Sequence, residues 1–223
     1  MMSKYMVSME ISGPFAMWSR PDTGATPTSY PIPTWSAAKG IFESVAFFAD
    51  GKAWIRPTKV EICKPKGRQS KGISFQKYTN NYRGVLRSSK SIKENNSFQF
   101  SSLILSEVCY RIYGVVENGS GQHLKHGNNP SHALQAMFER RLEKGQCHKT
   151  PVLGWNEFTP DYWGPVRDSK DSFQYQTEVD ESISLDLVSF LDQVFDKAVA
   201  GKYQPKFLTG EKALLKSGVF TYA

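Results

Sequence analysis

The residues best suited to chemistry in this sequence are cations and aromatic side chains that share one stretch of the chain. Between Lys59 and Lys93 there are ten basic residues, and Glu61 is the one acid. The aromatic residues that lie among or just beyond these cations are Tyr78, Tyr82, Phe98 and Phe100. Because lysine and arginine neutralise phosphates and exposed aromatic rings stack on bases, the pattern favours nucleic-acid binding. A solvated loop without a ligand is the alternative interpretation of the same charge run.

The charge changes sign further along the chain. The net charge is +7 over 223 residues, yet residues 159–203 contain more acids than bases. A basic block and an acidic block in one protein indicate two different partners, and the acidic block would repel a nucleic acid. We therefore expect the acidic region to face a protein.

The cysteines and histidines indicate neither a disulfide framework nor a metal centre. Three cysteines, an odd number without close spacing, fit a reducing cytoplasm (Cys63, Cys109 and Cys147). The pairs His123 with His126 and Cys147 with His148 could suggest zinc, but their spacing is irregular, and we predict no metal and no cofactor. No apolar run approaches the roughly 20 residues of a membrane span, and no signal peptide is evident. The sequence thus predicts a cytoplasmic protein without membrane contact.

Hydrophobic periodicity predicts the elements of one large domain. Alternating apolar residues indicate a strand over residues 5–11, and Thr34 can cap a helix with apolar residues at helical spacing. Asn129-Pro130 starts a second helix that Gly145 ends. Further strands are predicted over Trp54–Cys63, Leu103–Val116 and Val152–Phe158. The segment between the second and third strands is too long for a connector, so a binding loop or a small hairpin is expected there.

This βαββαβ order is typical of an α+β protein with a ferredoxin-like domain, similar to RNA-recognition domains. We expect that domain over residues 1–160, with a basic insertion at about 64–100, and a small C-terminal extension over 161–223. Within the extension, the spacing of Leu187, Leu191 and Phe195 fits a helix, while Ile183, Leu185 and Leu187 fit a strand equally well.

Two stretches resemble a known family. The first is Ser29-Tyr30, Thr34 and Ser36-Ala37-Ala38-Lys39-Gly40-Ile41-Phe42-Glu43-Ser44. The second comprises Met137-Phe138-Glu139-Arg140-Arg141, Lys144-Gly145-Gln146-Cys147 and Pro151-Val152-Leu153-Gly154-Trp155-Asn156-Glu157-Phe158. Together they resemble the first helix, second helix and following strand of the fifth Cas protein of type I-C CRISPR systems, in the RAMP superfamily. The resemblance covers roughly residues 5 to 160.

The resemblance implies a modified ferredoxin-like domain with a small C-terminal extension. Members of that family bind the hairpin repeat of precursor CRISPR RNA, cut it at its base, and stay on the 5′ handle within a Cascade complex. The cut needs no metal: the ribose 2′-OH attacks the neighbouring phosphate and gives a 2′,3′-cyclic phosphate and a 5′-OH. Such a reaction requires a base, a cation at the phosphorane and an acid for the leaving oxygen.

The family supplies these groups as a tyrosine at the end of the first helix and a Lys-His pair at the start of the second. In this sequence the tyrosine position corresponds to Ala46 and the pair to Ser131-His132. We therefore predict His132 as the catalytic acid or base, with Lys125 and Tyr30 as candidate substitutes for the missing groups. The predicted RNA-binding residues are Lys39, Lys64, Lys66, Arg68, Lys71, Lys77, Arg83, Arg87, Arg140, Arg141 and Lys144.

Three functions follow from these observations. The first is an endoribonuclease that processes precursor CRISPR RNA and retains the product with other Cascade subunits. The second is a Cascade subunit that caps the 5′ handle without cutting, which the loss of the tyrosine and the lysine favours. The third is a nonspecific nucleic-acid-binding protein, whose affinity would ignore the repeat hairpin and fall steeply with salt. Target DNA is a further candidate partner.

Overall fold

The computed structural model describes residues 5–83, 97–119, 129–168 and 175–223. Two α-helices, one short 3-10 helix (Gly210–Ala213) and thirteen strands occur in this part of the chain. The α-helices are α1 (Trp35–Val45) and α2 (Pro130–Glu143). The strands are β1 (Met6–Ala16), β2 (Trp18–Ser19), β3 (Ser29–Tyr30), β4 (Ala53–Pro65), β5 (Ser74–Arg83), β6 (Ser97–Asn118), β7 (Tyr162–Gly164), β8 (Thr177–Val179), β9 (Leu185–Asp186), β10 (Ser189–Phe195), β11 (Tyr203–Thr209), β12 (Leu214–Leu215) and β13 (Val219–Thr221).

An antiparallel sheet in the order β13-β4-β6-β1-β7 forms the centre of the molecule. Strand β6 is its longest member, and its first half pairs with β5 while its second half pairs with β1 and β4. The expected excursion after β4 therefore includes a long β-hairpin. Strand β8 extends the sheet locally by pairing with the end of β4. The architecture is a mixed α/β fold built on a large antiparallel sheet with few helices.

Both helices begin, and α2 also ends, where local signals predict. Thr34 caps α1 by accepting a hydrogen bond from the backbone N–H of Ala37. Asn129 caps α2 in the same way, with Pro130 in the first turn, and Gly145 follows the last turn at φ +62°. A positive φ costs glycine nothing, which is why it ends the helix.

The core lies between the helices and one face of the sheet. Phe42 of α1 and Phe138 of α2 are fully buried, with their ring centroids 5.6 Å apart in an edge-to-face contact. The alternating residues Val7, Met9 and Ile11 of β1 point into this core. Burying a phenylalanine stabilises a fold by about 1.5–3 kcal/mol, so these contacts fix the helices on the sheet.

Two local predictions differ from the structure. Residues 152–158 form turns in place of a strand: Gly154 has φ +95°, and a Cβ there would lie 1.9 Å from the Met17 carbonyl oxygen. After residue 186 the helical interpretation is wrong, because Phe190 and Asp192 point inward while Leu191 and Phe195 point outward. That alternation has a period of two residues, so the segment forms strand β10.

The C-terminal elements pack on the central sheet. Strand β13 pairs with β4, and Phe190 of β10 contacts Phe220 of β13 with ring centroids 5.0 Å apart. Strands β10 and β11 pair with each other as a hairpin. In the part of the chain that the structure describes, no helix is long and apolar enough to cross a membrane.

Candidate nucleic-acid interface

The start of α2 brings three polar side chains together at the surface. His132 is exposed on the first helical turn, and its ring meets Tyr5 edge-on with centroids 6.4 Å apart. The Asn129 side-chain amide donates to the Tyr5 hydroxyl at 2.6 Å. Pro130 has no N–H and the Ser131 N–H donates to Asn129 Oδ1 at 3.0 Å, so the positive end of the helix dipole is what favours an anion here. An imidazole and a phenol therefore lie where a phosphate would be held.

The neighbouring Ser131 has a different role. Its side chain is buried, and its hydroxyl donates to Asn118 Oδ1 at 2.7 Å, which links α2 to the end of β6. The position that corresponds to the family's lysine thus serves packing in this chain.

Tyr30 lies in the core, away from the start of α2. It is 2% exposed, and its hydroxyl accepts a hydrogen bond from the backbone N–H of Leu191 at 3.1 Å. Burial raises the pKa of this phenol, so it stays protonated and does not supply a phenolate to accept a proton. The structure therefore gives no support to the catalytic role expected of Tyr30. Lys125, the third catalytic candidate, lies outside the described residues.

The end of α1 is held by groups from elsewhere in the chain. Ala46 is buried, and Arg141 Nη1 donates to the Val45 carbonyl at 2.8 Å. The backbone N–H groups of His148 and Lys149 both donate to the Ser44 carbonyl at 2.8 Å. These bonds satisfy carbonyls that a helix end leaves unpaired. Arg141, predicted to bind RNA, is thus committed to capping a helix.

One more imidazole lies at this end of α1. The ring of His148 is tilted against Phe47, with centroids 5.9 Å apart, and both residues are exposed. Among the described residues, His132 and His148 are therefore the two histidines available for proton transfer.

Three of the predicted RNA-binding residues, at the end of β4 and beyond it, line one cavity of about 540 Å³. It is lined by Lys64, Arg68 and Lys71 together with Arg167. Lys64 Nζ forms an ion pair with Glu178 at 2.7 Å, and Lys71 is similarly paired with Glu107 at 2.5 Å. Part of the positive charge predicted from the sequence is thus already neutralised within the protein.

The other predicted cations vary in exposure. Lys66 and Arg68 are exposed beside this cavity, and Lys77 is exposed on β5. Arg140 and Lys144 are exposed at the end of α2, whereas the partly buried Lys39 forms an ion pair with Glu43 one turn along α1. Arg83 is the last residue of β5, and Arg87 lies outside the described residues.

The sheet face away from the helices is closed by a charge network around Glu10. This fully buried carboxylate accepts hydrogen bonds from Arg111 Nε at 3.3 Å, Arg167 Nε at 2.7 Å and the Thr177 hydroxyl at 2.7 Å. Burial alone would raise the pKa of Glu10, but the bonds from Thr177 and Arg167 outweigh it and lower the pKa. Because these side chains are largely buried and bonded to one another, this part of the face is not an open phosphate-binding surface.

Two candidate residues were missed from the sequence. Tyr5 belongs to the first predicted strand, and only the three-dimensional structure places it beside His132. His148 was considered solely as a metal ligand beside Cys147. In the described ranges no group of three or more histidine, cysteine or acidic side chains is placed to hold a metal ion. His123 and His126, the other two residues of that pattern, lie outside those ranges.

The overall fold is similar to that of a CRISPR-associated protein of known crystal structure. The TM-score is 0.63 at 19% sequence identity, covering 98% of this chain and 91% of the other. A functionally uncharacterized protein from Streptococcus mutans is similar to the same degree, with a TM-score of 0.63, 17% identity and coverage of 98% and 92%. These similarities show that the chain shares its overall fold with both proteins.

The sequence then defines the family. The Cas5d family model of CRISPR-associated proteins matches residues 6–208. Two relatives are named CRISPR pre-crRNA endoribonuclease Cas5d. The Thermus thermophilus protein is 30% identical over 159 residues, which cover 71% of this chain and 63% of that protein. The Mannheimia succiniciproducens protein is 26% identical over 170 residues, 68% of this chain and 69% of that protein. The chain belongs to the Cas5d family, and the resemblance to RAMP proteins of type I-C systems is confirmed.

The aligned region spans less than two thirds of the Thermus protein.

Proposed function

We propose that this protein is a pre-crRNA endoribonuclease that binds the repeat hairpin, cuts it without metal and retains the 5′ handle in a Cascade complex. The observation that carries the proposal is the exposed His132 beside Tyr5 at the start of α2, in a chain of the Cas5d family. Both relatives named above are called pre-crRNA endoribonucleases, which supports the same activity here.

The chemistry needs one group to accept a proton and another to supply one. In the proposed reaction His132 takes the proton of the ribose 2′-OH while the O2′–P bond forms. The P–O5′ bond breaks, and the leaving 5′ oxygen takes a proton from solvent water, so the products are a 2′,3′-cyclic phosphate and a 5′-OH. The opposite assignment, with His132 as the acid, uses the same geometry. Tyr5 is placed to contact the same phosphate, and the first turn of α2 stabilises its charge.

The sheet supports the finer description of the fold as modified ferredoxin-like. Taken as first to fourth strands, β1, β4, β6 and β7 lie in the order fourth-first-third-second, with all neighbours antiparallel. The helices α1 and α2 follow the first and third of these strands, as βαββαβ topology requires. In this proposal the long β5–β6 hairpin is the basic insertion, and the C-terminal extension begins after β7, a few residues later than the residue 161 expected from the sequence.

The proposed partners are the repeat RNA and neighbouring Cascade subunits in the cytoplasm. RNA binding is supported by the exposed cations Lys66, Arg68 and Lys77 on one side and Arg140 and Lys144 on another. Contact with target DNA would use the same positive charge.

A subunit that caps the handle without cutting is the second candidate. It is favoured by the burial of Ala46, Ser131 and Tyr30, since none of the three offers a titratable group to RNA at the surface. Such a protein would use the same cations to bind the guide but would lack a second catalytic group.

The deciding experiment incubates the purified protein with its cognate repeat RNA in EDTA. A parallel substrate carries a 2′-deoxy nucleotide at the cut. We expect cleavage in EDTA, a 2′,3′-cyclic phosphate on the upstream product, and no cleavage of the deoxy substrate. Tight binding with both substrates left intact would overturn the nuclease assignment and identify a capping subunit. Equal affinity for the repeat hairpin and unrelated RNA would indicate the nonspecific binding protein.

A further inference from the structure

The β10–β11 hairpin has one buried face and one exposed aromatic face. Phe190, Asp192 and Leu208 point into the protein. On the other face Phe195 lies opposite Tyr203 and Leu191 opposite Phe207. The exposed fractions of Phe195, Tyr203 and Phe207 are 50%, 75% and 45%. Large aromatic side chains this exposed on adjacent strands mark a binding surface.

The charge around this face is positive, in contrast to the acidic residues that precede it. Between residues 196 and 216 five exposed lysines face two acids. One of these acids, Asp196, is already used, because its carboxylate accepts the backbone N–H of Lys202 at 2.6 Å in the turn between the strands. The lysines are Lys197, Lys202, Lys206, Lys212 and Lys216. The sequence predicts a protein partner for the acidic region. That prediction applies to the acidic residues up to Asp192 and not to this hairpin, whose exposed charge is positive.

We propose that the outer face of the β10–β11 hairpin binds single-stranded RNA, with bases stacked on Tyr203 and Phe207 and phosphates near Lys202, since Lys206 Nζ instead lies 3.9 Å from the inward-pointing Asp192. Aromatic rings on a β-surface with cations between them are the arrangement that binds unpaired bases and backbone phosphates together. A protein-binding surface of this size would be depleted of lysine, and this one is not.

The spacing of the rings suits two bases that are close along one strand of RNA but not adjacent. Tyr203 and Phe207 lie four residues apart on one strand, which corresponds to about 13 Å. A duplex cannot present its base faces to such rings, so the ligand must be unpaired. The inference rests on the proposed function only for the class of ligand, RNA, and does not depend on cleavage.

The test measures binding of a fluorescent twelve-nucleotide oligouridylate to the full-length protein by anisotropy at two salt concentrations. Tyr203→Ala with Phe207→Ala is compared with wild type, and Val188→Ala, which removes an equally exposed apolar side chain next to β10, is the matched control. We expect the aromatic double variant to bind roughly tenfold or more weakly and the control to bind as wild type. Lys202→Ala should make the dependence of log affinity on log salt shallower by about 0.7.

Ultraviolet cross-linking of the same oligonucleotide, followed by mass spectrometry, provides a second readout. We expect cross-linked peptides from the β10–β11 hairpin. Wild-type affinity in the aromatic double variant, or no binding of the oligonucleotide by the wild type, would overturn the inference. The inference would also be overturned if the aromatic double variant bound RNA normally but no longer assembled with other subunits. In that case the face would bind protein. Repeat cleavage is measured separately, so a failure of the proposed nuclease activity gives a different result.

Discussion

The start of α2 and the surroundings of α1 contain similar residue types in opposite settings. At the start of α2 an imidazole and a phenol lie at the surface beside a helix N-terminus. Around α1 the polar groups are turned inward: Tyr30 bonds to the backbone of β10, Arg141 caps the helix, and Asp192 is fully buried. The difference separates groups placed to meet a substrate from groups that hold the fold together.

The largest expected effect follows from removing the imidazole at the start of α2. His132→Ala should slow repeat cleavage by 10²- to 10⁴-fold, the usual contribution of one acid–base group, without loss of repeat affinity or thermal stability. The matched variant is His148→Ala, which removes the exposed imidazole at the end of α1. Single-turnover cleavage and anisotropy of both variants are the measurements. If His148→Ala loses cleavage and His132→Ala does not, the catalytic imidazole is the one at the end of α1. The start of α2 would then have no role in cleavage.

The second effect concerns the buried carboxylate near α1. Burial raises the pKa of Asp192 from 3.8 to about 6, and Lys206 Nζ, 3.9 Å away, offsets this only in part. Neither carboxylate oxygen has a hydrogen-bond partner. Because the folded state holds the proton more tightly than the unfolded chain, stability from this group is present below about pH 4. This contribution is lost as the pH rises to about 6. Above that pH, Asp192 causes no further change in the free energy of unfolding.

Asp192→Asn should therefore stabilise the protein at pH 8 by about 2–3 kcal/mol, the equivalent of roughly two pKa units, and should bring little gain at pH 4. Urea unfolding at the two pH values measures this, with the exposed Glu211→Gln as the control. A gain of the same size at both pH values would show that packing, and not ionisation, causes it.

Features of the two regions that depend on residues close in sequence could be predicted, and features that depend on distant residues could not. The capping residues Thr34 and Asn129, the glycine after α2 and the alternation in β1 are local signals, and the structure confirms all of them. Tyr30 and Asp192 are buried because distant strands pack over them, which no local pattern reports. The same holds for Tyr5, which meets His132 only through the arrangement of β1 and α2. Exposure of a polar residue, the property that decides its role, was therefore the least predictable from the sequence.

The smallest effect distinguishes two adjacent arginines at the end of α2. Arg141 donates to the Val45 carbonyl and places a positive charge at the negative end of α1, so Arg141→Ala should destabilise the protein by about 1–2 kcal/mol. Arg140 is exposed, so Arg140→Ala should change stability by less than about 0.5 kcal/mol and weaken repeat binding instead. Urea unfolding and anisotropy at two salt concentrations measure both properties in each variant. Arg141 would then act on stability and Arg140 on RNA binding. This is the same difference, between two adjacent residues, as that between the inward groups around α1 and the exposed groups at the start of α2. Loss of repeat affinity in a stable Arg141→Ala variant would instead place the end of α1 in the RNA interface.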